Sequence, residues 1–151
     1  MNIKALSIAL ATVLVTSACI STKSTIKNID NNAPELFLTK GNTFKISEYS
    51  KDKKYAYDPN YPVNLFYRGT KNDSINQRRY LNALAGPEGQ HLSYKKLERC
   101  CPFPTKRTEM GAGLLDVYEV SWKGQNKPIK LYLNMYEKGA VMVPVGLTLK
   151  K

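Results

Sequence analysis

Apolar and polar positions divide the chain into three stretches. Ala5 to Val15 is an apolar run of eleven residues, broken only by Ser7 and Thr12. Ser21 to Pro34 is polar, carries Ile26 and Ile29 as isolated apolar positions, and shows no amphipathic period. From Glu35 onward, short apolar runs alternate with Gly, Pro, Asn and Asp, the punctuation of a small folded unit.

Within that unit the pattern predicts a hairpin over 35–47, with Leu36-Phe37-Leu38 and Thr43 to Ile46 around the turn Lys40-Gly41-Asn42. Tyr49 to Pro62 reads as loop. Val63 to Arg68 has strand composition and ends at Gly69. The spacing predicts a helix capped by Asp73 and running over 74–85. Tyr80, Leu81, Leu84 and Ala85 share one face, and Gly86-Pro87 stops it.

Beyond the helix only strands are predicted: 92–101, 114–122 and 129–136. In the last, Ile129, Leu131, Leu133 and Met135 alternate with Lys130, Tyr132, Asn134 and Tyr136, the period of a half-buried antiparallel strand. A final alternating run, Val141 to Leu149, is interrupted by Pro144, which fits an edge or a bulge. The order predicts an α+β fold, one helix packed on an antiparallel sheet of about five or six strands. Cystatin-like rolls share that order with other α+β folds.

The apolar run near the start is too short to span a bilayer, which needs about 20 helical residues. With Lys4 before it and small residues after it, it reads as an export signal. Val15-Thr16-Ser17-Ala18-Cys19 resembles the lipobox of bacterial lipoproteins, with Thr16 where leucine is commoner. The resemblance implies cleavage after Ala18 and lipidation of Cys19; plain secretory cleavage after Ala18 is the competing reading. Ile20, where enterobacterial lipoproteins kept in the inner membrane carry aspartate, points to the outer membrane with the domain facing the periplasm. The expected organisation is therefore a signal peptide (1–18), a lipidated cysteine and flexible tether (19–34), and one α+β domain (35–151).

The chain carries 23 Lys+Arg against 12 Asp+Glu, +11 formally, and Lys4 is the one charge in the leader. Net charge bears on partners rather than on fold. The basic residues gather at Lys51/Lys53/Lys54, Arg78/Arg79, Lys95/Lys96/Arg99, Lys106/Arg107 and Lys123/Lys127/Lys130. For an exported protein, nucleic acid is not an expected partner. Anionic lipid, lipopolysaccharide or an envelope protein is. Lys95, Lys96 and Arg99, with Arg78 and Arg79, are the candidates for contact with an anionic surface, ahead of isolated lysines such as Lys45 and Lys138.

Two further stretches carry a second resemblance. Tyr55-Ala56-Tyr57-Asp58 is followed by Pro62-Val63. Gly113-Leu114-Leu115-Asp116-Val117-Tyr118-Glu119-Val120 is followed by Lys127-Pro128-Ile129-Lys130-Leu131-Tyr132-Leu133-Asn134-Met135-Tyr136. Over 55–151 they resemble a group of small uncharacterised bacterial lipoproteins whose members often bear the inherited label 2-dehydro-3-deoxyphosphooctonate aldolase. That enzyme is a cytoplasmic (β/α)₈ barrel acting on phosphoenolpyruvate. A barrel of that kind needs roughly 200 or more residues, and Gly111-Ala112-Gly113 lacks the spacing of a phosphate cradle. The label is not supported.

Cys100-Cys101 is the remaining chemical oddity. In an oxidising compartment the pair could be free thiols with one buried, a vicinal disulfide, or partners in a bond to another protein. A catalytic thiol would need a base, and His91 is the one histidine. Neither a metal site nor a cofactor is expected, since C-x-x-C and paired histidines are absent and the carboxylates are scattered. The chain therefore reads as a non-enzymatic, membrane-tethered binding or structural module. A thiol-dependent enzyme or redox protein using Cys100 or Cys101, and an inhibitor or immunity-type lipoprotein, are the alternatives.

Overall fold

The computed structural model describes residues 23–66 and 73–151. The leader, the lipobox and Cys19 lie outside the described residues, as do Tyr67 and Arg68 at the end of the strand expected over 63–68. Six strands and one helix follow in order: β1 (Val63–Asn64), α1 (Asp73–Leu81), β2 (Leu84–Ala85), β3 (Leu92–Pro104), β4 (Ala112–Trp122), β5 (Ile129–Asn134) and β6 (Thr148–Leu149). The fold is α+β. The main sheet is ordered β1-β5-β4-β3, with β1 parallel to β5 and the other pairs antiparallel.

That sheet has four strands rather than five or six. The run containing Pro144 contributes only Thr148 and Leu149, which pair with β2 in a separate two-stranded ladder, plus one bridge from Val143 to Tyr49. The 35–47 hairpin closes through a single bridge, Leu38 to Phe44, with Thr39 N–H bonded to the Thr43 carbonyl at 2.8 Å.

The helix is also shorter than expected. It opens at Asp73 and ends at Leu81; the capping role expected of Asp73 lies outside the described residues. Leu84 and Ala85 are buried as their helical spacing implies, but on a strand. Pairing with Leu149 and Thr148 satisfies their backbone groups, which one more helical turn running into Gly86-Pro87 could not do.

β4 lies between β3 and β5 and is covered on both faces. On one face Leu131, Leu133, Val120 and Tyr118 join Leu81, Tyr80 and Leu84 in the main core. Ile129 is half-buried at its rim. Met135 lies beyond the end of β5 and stays half-buried outside this core, because the alternation stops where the strand does.

The opposite face carries a second, smaller core of Ile26, Phe103 and Leu115, with Ile29, Tyr132 and Tyr136 against it. The segment expected to be a flexible tether thus covers a sheet face. Lys27 N–H bonds the Asn60 carbonyl and Asp30 N–H the Lys138 carbonyl, each at 2.9 Å. Asn28 donates to the Pro62 carbonyl at 2.6 Å, and its own carbonyl accepts from the buried Asn64 side chain at 2.9 Å. The isoleucines supply apolar area that the exposed sheet face needs, and the asparagines satisfy the backbone beside it.

Candidate functional site

The densest polar constellation surrounds Asp116, which is fully buried on β4. Lys96 Nζ lies 2.6 Å and Arg99 Nε 3.1 Å from its Oδ1, while Gln77 Nε2, from α1, donates to its Oδ2. Tyr118 then donates to Gln77 Oε1 at 2.6 Å, and the Tyr94 ring stands edge-on to Tyr118. Burial, and next the charge of Asp116, push the Tyr118 hydroxyl up to about 12.

Lys96 and Arg99 are three residues apart, so a regular strand would aim them at opposite faces. A β-bulge puts them together. Lys96 is opposite Tyr118 and Glu98 opposite Val117, leaving Leu97 as the extra residue. The inserted residue switches the phase and brings both cations to Asp116. Lys95 faces the other way and pairs with Glu119 at 2.9 Å. The expected cluster is therefore split between two faces, and all three cations are held by carboxylates. Arg78 is exposed near Tyr94 and Tyr118 and counters the rise of their hydroxyl pKa values. Arg79 points elsewhere, donating to Asn76 and Asn42.

Cys100 and Cys101 are bonded to each other. They sit at a second irregularity of β3, where Cys101 and Pro102 together face the single residue Leu114 and Cys101 adopts a left-handed φ of 58°. Of the arrangements open from sequence, this is the vicinal disulfide. His91 is exposed at the other end of the same strand. Nine residues at about 3.3 Å each place it roughly 30 Å away, beyond reach as a base for either sulfur. In Gly111-Ala112-Gly113 the last glycine serves packing. A Cβ on Gly113 would lie 2.8 Å from both the Phe103 and Tyr136 rings.

The surface carries an open groove of about 590 Å³ between the 38–44 turn and the end of β6, bordered by Thr39, Thr43, Lys45, Asn82, Lys150 and Lys151. Sequence reasoning missed it, because its two walls are over a hundred residues apart in the chain. A smaller hollow of about 160 Å³ lies beside Arg107, whose guanidinium sits 4.1 Å over the Phe66 ring and 3.3 Å from the buried Glu137. Among the described residues no three His, Cys, Asp or Glu side chains converge on a metal-sized site, and no helix is long and apolar enough to cross a membrane. No family model, curated protein or solved structure matches this chain, and the comparisons therefore place it in no family.

Proposed function

We propose that the protein is a lipid-anchored envelope lipoprotein that acts as a binding or structural module, without catalysis of its own, for anionic components of the envelope. Acylated Cys19 is its membrane attachment, and the outer membrane, with the domain facing the periplasm, is its place. The observation that carries this reading is the docking of the N-terminal segment. Ile26 is already in the core, seven residues past Cys19. The seven residue steps from Cys19 to Ile26 reach at most about 25 Å when fully extended, so acylation at Cys19 would hold the domain close against the membrane surface. A disulfide between the two remaining cysteines fits an oxidising compartment.

The test is fractionation and intact mass. The wild-type protein is expected in the membrane fraction with a mass increased by acyl chains on Cys19, and Cys19→Ala is expected to lose both. An unmodified wild-type mass, or a Cys19→Ala chain that still fractionates with acylated protein, overturns the reading.

A further inference from the structure

The basic surface looks different once its ion pairs are counted. Lys95, Lys96, Arg99, Arg107 and Lys138 each lie within ion-pair distance of a carboxylate. Among the described residues Lys45, Lys150 and Lys151 form no such pair, and no Asp or Glu side chain lines the groove they share, where the one carboxylate is the α-carboxylate of Lys151 itself. The hairpin brings Lys45 and the last strand brings the other two. Both walls are fixed through the backbone: Lys45 N–H bonds the Phe37 carbonyl at 2.8 Å, and Lys150 N–H bonds the Ala83 carbonyl at 2.9 Å. Buried Phe44, Ile46 and Ala83 form the floor.

Neutral donors complete the lining. Thr39 and Thr43 share one hydrogen bond between their hydroxyls at 2.8 Å, so one of the two hydroxyl hydrogens is left over. Asn82 accepts from the Tyr94 hydroxyl at 2.7 Å through Oδ1, and its Nδ2 keeps two donors. On its outer side Lys45 also borders a more apolar hollow with Glu35 and Glu48. Glu35 is already bridged to Lys138 at 3.0 Å.

The geometry points to this groove as a binding site for a phosphate-bearing anion. Three ammonium groups and spare hydroxyl and amide donors match the several oxygens and multiple charge of phosphate groups. The volume suits a small ligand or head group, for which roughly 300–1,000 Å³ is usual. The inference rests on the reading that anionic envelope components are the partner, and it names the place where they bind. It reverses the ranking taken from sequence, in which Lys45 was the isolated lysine and Lys95/Lys96/Arg99 the cluster.

A chain of residues 20–151 keeps every described core residue, Ile26 included, and leaves out the anchor. It would be mixed with vesicles of neutral phospholipid, with vesicles containing about a quarter phosphatidylglycerol, and separately with inorganic pyrophosphate followed by NMR. Wild type is expected to bind the anionic vesicles and to show pyrophosphate shifts at Thr39, Thr43 and Lys150, both fading with salt as charges are screened. Lys45→Gln with Lys150→Gln and Lys151→Gln is expected to weaken both by about ten-fold or more. Lys95→Gln with Lys96→Gln and Arg99→Gln is expected to change binding less than about three-fold. Pyrophosphate shifts without vesicle binding support the site and assign it to a soluble phosphate. Anionic-vesicle binding that survives the groove substitutions overturns the site and leaves the proposed function standing. Failure of wild type to bind either probe at low salt overturns the site and the anionic partner together.

Discussion

Asp116 shows how much one residue's role depends on neighbours that the chain order hides. Its alternation with Glu119 is legible in sequence, since residues three apart on a strand face opposite sides, and the structure seats them on different cations. Its burial is not legible, because β4 is covered on both faces and carries no clean apolar period. Gln77 offered a faint signal. It stands three residues before Tyr80 and four before Leu81, on the same helix face, so it shares their burial. A buried carboxylate is weak evidence for stability, but one left without its partners is costly. Asp116→Asn keeps the shape and an acceptor while losing two charge-assisted bonds. It is expected to destabilise by about 1–3 kcal/mol in urea unfolding. Glu119→Gln removes a surface pair and should cost no more than about 1 kcal/mol. Equal effects of the two would mean that Asp116 is solvated in solution.

At the scale of elements, long regular strands were readable and short pieces were not. β5 announces itself through Leu131 and Leu133, both fully buried. β2 and β6 are two residues each, too short for any period, and exist because each satisfies the other's backbone. The N-terminal segment is the instructive case. Two isoleucines among polar residues look like tether because nothing local demands burial; the demand comes from the far face of β4 and β5. Ile26→Ala is expected to lower stability by about 2 kcal/mol, toward the low end of large-to-small core changes because the second core is small. It should also speed hydrogen exchange at Lys27, Asp30 and Ala33, whose amides bond to the Asn60, Lys138 and Asp30 carbonyls respectively. A change under about 0.5 kcal/mol would return the segment to the status of a tether.

For the whole molecule, the buried tyrosines set an alkaline limit. Tyr55 and Tyr80 lie in the main core and bond to the 140–142 backbone. Burial raises both hydroxyls above the ordinary tyrosine value, and raises Tyr118 to about 12. In the unfolded chain all three ionise near about 10. Below that pH both states are neutral there, and their contribution to stability is fully present. As pH climbs from about 10 through 12 and beyond, the unfolded state loses protons first, and stability falls. The tyrosinate absorbance of Tyr55, Tyr80 and Tyr118 is therefore expected late, rising together with loss of circular dichroism. Tyr118→Phe should reduce the part of the stability loss that falls between about pH 10 and 12. Full tyrosinate absorbance with unchanged circular dichroism would mean that the core admits hydroxide without unfolding.

The amino-acid order by itself determined the α+β class, the places of the helix and the three long strands, the vicinal pair of cysteines and the excess of positive charge. Each of these is local: a period, a breaker, a count. Only the tertiary structure decided which charges are free. Lys95, Lys96 and Arg99 are neighbours in sequence, yet strand alternation turns Lys95 to Glu119 on one face, and a one-residue bulge swings Arg99 round to join Lys96 at Asp116 on the other. Lys45 and Lys150 are far apart in sequence, yet the hairpin and β6 set them on one groove that no Asp or Glu side chain lines among the described residues. Charge adds along a chain, but Coulomb interaction depends on distance in space and on what lies between. A fold can therefore neutralise a cluster and assemble one from isolated residues.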